Sequence, residues 1–171
     1  MKIIMEIWDL YDKNRKKLNK PHRRGTPLSK DEYHLAIAII VLNSKNQFLL
    51  TLRSNDKFPN PNKWETTTGS CLMGENSLEG AKRELFEETG IDADISDFIF
   101  MDTICDHTDN YIQDTFLLRK DVDLKNLKFQ LHETQNAMWA DYEKVVDLAK
   151  KDKMVLSSFK RIEKVKSSVL Q

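Results

Sequence analysis

Only two cysteines, Cys71 and Cys105, occur among the 171 residues, too few and too unpatterned for a disulfide framework or a zinc site. No stretch approaches the roughly 18 consecutive apolar residues that a membrane-crossing helix requires. The opening MKIIMEIWDLYD has no continuous apolar core followed by a small-residue cleavage site. Neither sign of charge is in excess, since 27 Lys and Arg face 27 Asp and Glu. That balance removes any global electrostatic case for a nucleic-acid or membrane partner. Internal repeats, low-complexity segments and linkers are also missing. These absences lead to the expectation of one cytoplasmic domain over residues 1–171, long enough to bury most of the surface its unfolded chain exposes. Its partner should be a small molecule recognised locally, with monomer and homodimer both open.

What is present begins with a loosely alternating strand over Ile3 to Tyr11. A basic stretch, Lys13 to Arg24, follows and reads as a loop broken by Pro21, Gly25 and Pro27, either solvated or with some of Arg15, His22, Arg23 and Arg24 facing an anionic substrate. The run LAIAIIVL within His34 to Leu42 predicts a buried central strand, and Phe48 to Leu52 predicts its hairpin partner, ending at Arg53. Two prolines stiffen Phe58 to Lys63, and Trp64 to Thr68 resumes a strand. Further strands are expected over Ile91 to Ile95, Phe98 to Thr103, Tyr111 to Leu118, Leu127 to Leu131 and Ala137 to Trp139. The polar tip Cys105 to Asn110 can overhang a site. Helices are expected over Tyr142 to Lys150, with Val145, Val146 and Leu148 inward, and over Val155 to Leu170. Strands on both sides of one helix, with helices late in the chain, make an α/β class: a mixed β-sheet sandwiched between α-helices.

The informative stretch is Gly69 to Ile91, GSCLMGENSLEGAKRELFEETGI. Asn76 with Glu79 forms a capping-box signature, Leu78, Ala81 and Leu85 form an apolar stripe, and Gly90 is a C-terminal stop. Glu84, Glu87 and Glu88 then share one helical face near the C-terminal end. Both their mutual repulsion and the negative end of the helix dipole disfavour that cluster. A divalent cation reverses the sign of both effects, and carboxylate oxygens suit Mg²⁺ or Mn²⁺. The alternative is a solvated helix end.

This stretch resembles the Nudix box, G-x5-E-x7-R-E-U-x-E-E-x-G-U with U aliphatic, at Gly69, Glu75, Arg83, Glu84, Leu85, Glu87, Glu88, Gly90 and Ile91. At average residue usage a chance match is below roughly one in a million, so the solvated-end reading gives way. The resemblance implies the Nudix fold and a phosphohydrolase that cuts a nucleoside diphosphate linked to another group. It also implies that Glu84, Glu87 and Glu88 bind metal, with Glu88 indispensable, that Arg83 orients a glutamate, and that Gly69 and the Thr68 carbonyl approach the metal. Glu133, six residues before Trp139, stands where the family often has an acid serving as ligand or general base, or else it is an ordinary loop residue. Arg53 resembles positions that meet substrate phosphates, or it is a strand-end arginine. Trp64, Phe58, Trp8 and Tyr33 either stack on a base or pack in the core.

Outside the box, WDLYD, YHLAIAI and NPNKW resemble the branch that includes isopentenyl-diphosphate isomerase. That enzyme needs a cysteine just before the box glycine and a histidine just after it, where this chain has Thr68 and Ser70. Cys71 would need a change of register, and His34 is either a metal ligand of that kind or structural. With all box acids kept, hydrolysis is favoured over isomerisation and over a nucleotide-binding module that does not cut.

Overall fold

A computed structural model describes residues 6–169. Its organising element is β3 (Tyr33–Leu42), whose alternate side chains are buried on both faces, which is why its sequence reads as an unbroken apolar run. Parallel β8 (Tyr111–Arg119) flanks it from His34 to Leu42. Its other edge takes antiparallel β6 (Thr67–Ser70) and then, at Leu42, β4 (Phe48–Arg53). Two antiparallel strands, β1 (Ile7–Tyr11) and β2 (Lys17–Arg23), extend the sheet beyond the start of β3. Antiparallel β7 (Phe98–Asp106) pairs with β8, while β5 (Trp64–Glu65) and β9 (Thr134–Ala140) pair with β4.

The two faces carry separate apolar layers. Leu35, Ile37, Ile39 and Val41 pack with Ile112, Phe116 and the inward stripe of α1 (Ser77–Thr89), chiefly Ala81 and Leu85. Ile40, Leu42, Phe48 and Leu50 pack with Val145 and Leu148 of α2 (Tyr142–Lys150) and with Ile162 and Val165 of α3 (Leu156–Val169). The mixed sheet between helices matches the expected class. No helix among the described residues is long and apolar enough to cross a membrane.

Helix α1 starts where its capping box predicts. The Asn76 carboxamide oxygen accepts from the Leu78 and Glu79 amides at 3.0 Å each, and the Asn76 amide donates to the Glu79 carboxylate at 2.9 Å. It stops at Gly90, whose φ of +74° is left-handed.

Several expected elements differ. Lys17–Arg23 is an edge strand rather than a loop, because Pro21 lacks only the N–H that an outer strand can do without, and the ladder shifts register between Asp9 and Tyr11. Ile91 to Ile95 and Leu127 to Leu131 are not strands: Ile91, Leu127 and Phe129 contribute burial without a neighbouring ladder, and short 3₁₀ turns cover Ile95–Asp97 and Leu124–Asn126. Val146 is half-buried while Val145 and Leu148 carry the inward face of α2. The tip after β7 leans on β3, where the Tyr33 hydroxyl lies 2.7 Å from His107 Nδ1. Ile3 to Met5 and Leu170 lie outside the described residues.

Gly80 shows how closely α1 lies on the sheet, since a Cβ there would meet the Cys71 sulfur at 2.6 Å. Helix propensity favours Gly→Ala by about 0.5–1 kcal/mol, but overpacking a core costs about 1–3 kcal/mol. Gly80→Ala is therefore expected to lower stability in urea denaturation. Combined with Cys71→Ala, which removes the obstructing sulfur, the same change should become neutral or favourable. Strictly additive effects would show that the two positions do not touch.

Candidate functional site

The last turns of α1 deliver Glu84, Glu87 and Glu88 to a polar cleft of about 560 Å³, walled by Thr68, Gly69 and Ser70 of β6, by the loop from Asp56 to Pro59, and by Gln130, His132 and Glu133 before β9. Gly69 is the close approach. A Cβ at that position would fall 2.1 Å from the Glu84 carboxyl carbon, so any larger residue would displace this acid from its place over the strand.

Arg83 organises the near side. Its Nε and one terminal nitrogen donate to the two Glu75 oxygens at 2.7 and 2.9 Å, and the other terminal nitrogen reaches Glu84 at 2.9 Å and Glu87 at 3.0 Å. A further bond to the Ser70 carbonyl at 2.9 Å ties the helix to β6. Burial pushes the Glu75 carboxyl up, but Arg83 and the Leu72 amide outweigh it and hold the acid below its usual range. At Glu84 burial prevails over Arg83, and the carboxyl is raised.

Glu88 is the buried member, 3% exposed. Its Oε1 accepts from Lys57 Nζ at 3.1 Å, while Oε2 is enclosed and has no hydrogen-bond partner. Burial, added to by Glu65 and Glu84 and opposed by Lys57, pushes this carboxyl up to about 8. Lys57 stands among three acids: Glu133 at 2.7 Å, Glu88 at 3.1 Å and Glu65 at 3.7 Å. Burial alone would depress its ammonium, but these carboxylates overcompensate and raise it. No three acidic, histidine or cysteine side chains among the described residues already converge as a metal cage. Arg83 and Lys57 hold the carboxylates that a cation would draw together.

The other candidates divide. Glu133 and Phe58 line the cleft, Phe58 at its mouth with 87% exposure. Arg53 also borders it, yet its donors are occupied by Glu65 at 2.8 and 3.0 Å and by the carbonyls of Lys57, Pro59 and Asn60. It thus staples the loop that carries Lys57. Trp64 packs instead against the layer under α2 and α3, away from the cleft. Tyr33 is core, and Trp8 stacks at 4.2 Å on His34, whose imidazole burial pushes down to about 4. Of the basic stretch, Arg24 lines the cleft beside Glu6, whereas Arg15 grips buried Asp114. Cys71 points into the core beneath α1, its thiol pushed up to about 12 by burial, while Thr68 and Ser70 face the cleft. Lys57, Gln113 and Gln130 were not picked out from sequence. No motif marks them, and only the stiff proline loop hinted that this segment holds a fixed shape.

Residues 32–162 match the family model of the NUDIX domain. An uncharacterised Nudix hydrolase of Listeria monocytogenes is 37% identical over 142 residues, which is 82% of this chain and 83% of the relative. A shorter match, 38% over 63 residues, or 36% of this chain and 35% of the other, is to isopentenyl-diphosphate Δ-isomerase of Pectobacterium atrosepticum. Among solved structures, DR0079 of Deinococcus radiodurans superposes with a TM-score of 0.71 at 18% identity, covering 88% of this chain and 92% of its own. A bifunctional NMN adenylyltransferase/ADP-ribose pyrophosphatase of Francisella tularensis, solved with AMP and a manganese ion, gives 0.64 at 15% identity over 81% of this chain and 42% of its own. At such identities these two likenesses concern the fold.

The raised carboxyl of Glu88 predicts a pH dependence of stability. In the fold the proton is held more tightly than in the unfolded chain, where the ordinary value is 4.5. The contribution is therefore fully present below about 4.5 and lost as pH rises through about 8. With metal chelated, the melting temperature should fall across this window more steeply for the natural protein than for Glu88→Gln, which has no proton to lose. Parallel slopes would contradict the assignment.

Proposed function

The chain belongs to the Nudix hydrolase family, and from that premise we propose that it is a divalent-metal-dependent enzyme cleaving the diphosphate linkage of a nucleoside diphosphate joined to another moiety. The observation that carries the proposal is Glu88: a buried carboxylate with one oxygen unpaired, beside two further acids of the same helical face. An ionised carboxylate left this way is costly, and a hard cation is the group that satisfies it. Glu84, Glu87 and Glu88 would hold Mg²⁺ or Mn²⁺, with Thr68 and Gly69 at the opposite wall. Such an ion supplies neutralisation of the diphosphate charge and activation of the attacking water.

The chain's own residues do the rest. Arg83 keeps Glu84 and Glu87 aimed into the cleft while Glu75 fixes Arg83. Lys57 and Arg24 add positive charge on the cleft wall for an anionic substrate. Glu133 lies at the mouth, outside the grip of Arg83, and is the group assigned to take the proton from the nucleophile. Isomerisation of isopentenyl diphosphate is disfavoured by Cys71, whose thiol is buried under the helix.

Assays of nucleoside diphosphate conjugates with Mg²⁺ or Mn²⁺ test the reading directly. Either ion at millimolar concentration should raise the melting temperature by mass action on the folded state, and Glu88→Gln should abolish turnover while leaving the fold intact. Retained turnover in that variant would defeat the proposal. Glu133→Gln should lower turnover by roughly 10² to 10⁴ fold at unchanged metal affinity if it is the base. Partial recovery at high metal would make it a ligand instead.

A further inference from the structure

A second cavity, of about 640 Å³, opens beside the acid cleft and is walled by α3, the β7–β8 hairpin and Asn60. The two meet on the α3 face of the sheet, whereas the glutamates of the first come from α1 on the other face. Tyr111 and Thr115 of β8 line the second cavity and Gln113 the first, and alternate residues of a strand point the same way. The loop contributes Asp56 to Pro59 to the first cavity and Asn60 to the second. Gln113 thus marks the side of the acid cleft that faces α3.

At that junction stands Arg161. One terminal nitrogen donates to Gln113 Oε1 at 3.1 Å and the other to Ser158 Oγ at 3.1 Å, while Nε is enclosed without a partner. Among the described residues no carboxylate lies within ion-pairing distance of this guanidinium. Two other cations of this cavity are closed, Lys63 by Asp152 at 2.6 Å and Lys164 by Asp102. Burial depresses the Arg161 guanidinium, and the more distant charges of Tyr111, Glu65 and Asp102 offset it only in part. Burying such a charge unpaired is unfavourable. A guanidinium carries five N–H donors, so one on each terminal nitrogen remains for a planar oxyanion, the geometry in which arginine binds carboxylate or phosphate best.

We propose that Arg161 is a specificity residue, receiving a second anionic group, carboxylate or phosphate, borne by the substrate away from its diphosphate. This rests on the hydrolase reading above and narrows it to conjugates with a further charge.

The test is calorimetric binding, with Ca²⁺ in place of Mg²⁺ or Mn²⁺, of two matched pairs: UDP-glucuronate against UDP-glucose, which differ by a carboxylate, and NADPH against NADH, which differ by a phosphate. The charged member of at least one pair is expected to bind about tenfold more tightly to the natural protein, and the responding pair identifies the anion. Arg161→Gln should erase that preference. Arg161→Lys, which keeps the charge but loses the fork, should cut it at least about threefold and serves as the test if the glutamine variant does not fold. A merely structural Arg161 would leave the preference untouched. Equal affinities within both pairs, no binding of any of the four, or a preference undiminished in the variants overturns the proposal. A preference that depends on Arg161, with no cleavage of any conjugate under Mg²⁺ or Mn²⁺, supports it while removing the hydrolase reading.

Discussion

Lys57 sets the electrostatics of the cleft, because its ammonium stands among Glu88, Glu65 and Glu133, two of which are buried. At these separations each attraction is strong wherever water is thin, yet it falls short of offsetting the burial of Glu88, whose carboxyl stays raised. Lys57 is itself held by a neighbour. Arg53, paired with Glu65, binds the carbonyls of Lys57, Pro59 and Asn60 and so fixes the loop from which Lys57 reaches inward. Removing Arg53 would therefore disturb Glu88 through two intermediaries without touching it.

A network of this kind contributes little net stability, since desolvation consumes most of the Coulomb gain. The fold's stability comes from elsewhere. Apolar layers on both faces of β3, one closed by α1 and the other by α2 and α3, bury the large aliphatic side chains. Because α1 is anchored by Ala81, Leu85 and its capping box, its final turns can present acids that both the helix dipole and mutual repulsion disfavour.

The two cavities meet on the α3 face of the sheet, although the acids of the first come from α1 on the other. On strand β8, Tyr111, Gln113 and Thr115 line the cavities, while Ile112 and Phe116 join the layer under α1 with buried Asp114 between them. The hydrogen bond from Arg161 to Gln113 spans the boundary between the cavities, so α3, the last element in the chain, reaches the region governed by a helix some seventy residues earlier.

Much of this was legible in the residues themselves. The limits of α1, the face shared by Glu84, Glu87 and Glu88, and the buried character of β3 depend on local spacing, capping and apolar periodicity, which a linear chain carries in full. Basic residues before β3 were harder to read: only pairing with β1 shows that Lys17–Arg23 is a strand, and only the fold separates Arg24 at the cleft from Arg15 locked on Asp114. The same holds for Arg53, legible as a strand-end cation but not as the staple of a loop, and for Trp64, whose ring belongs to the opposite layer. Sequence alone determined the sheet-and-helix class and the acidic face of α1, because these follow from interactions within a few residues. Tertiary structure decided that Lys57 meets Glu88, that Cys71 is sealed beneath Gly80, and that Arg161 makes no ion pair among the described residues. Each of these depends on long-range packing, where burial rather than neighbouring sequence sets the strength of a charge.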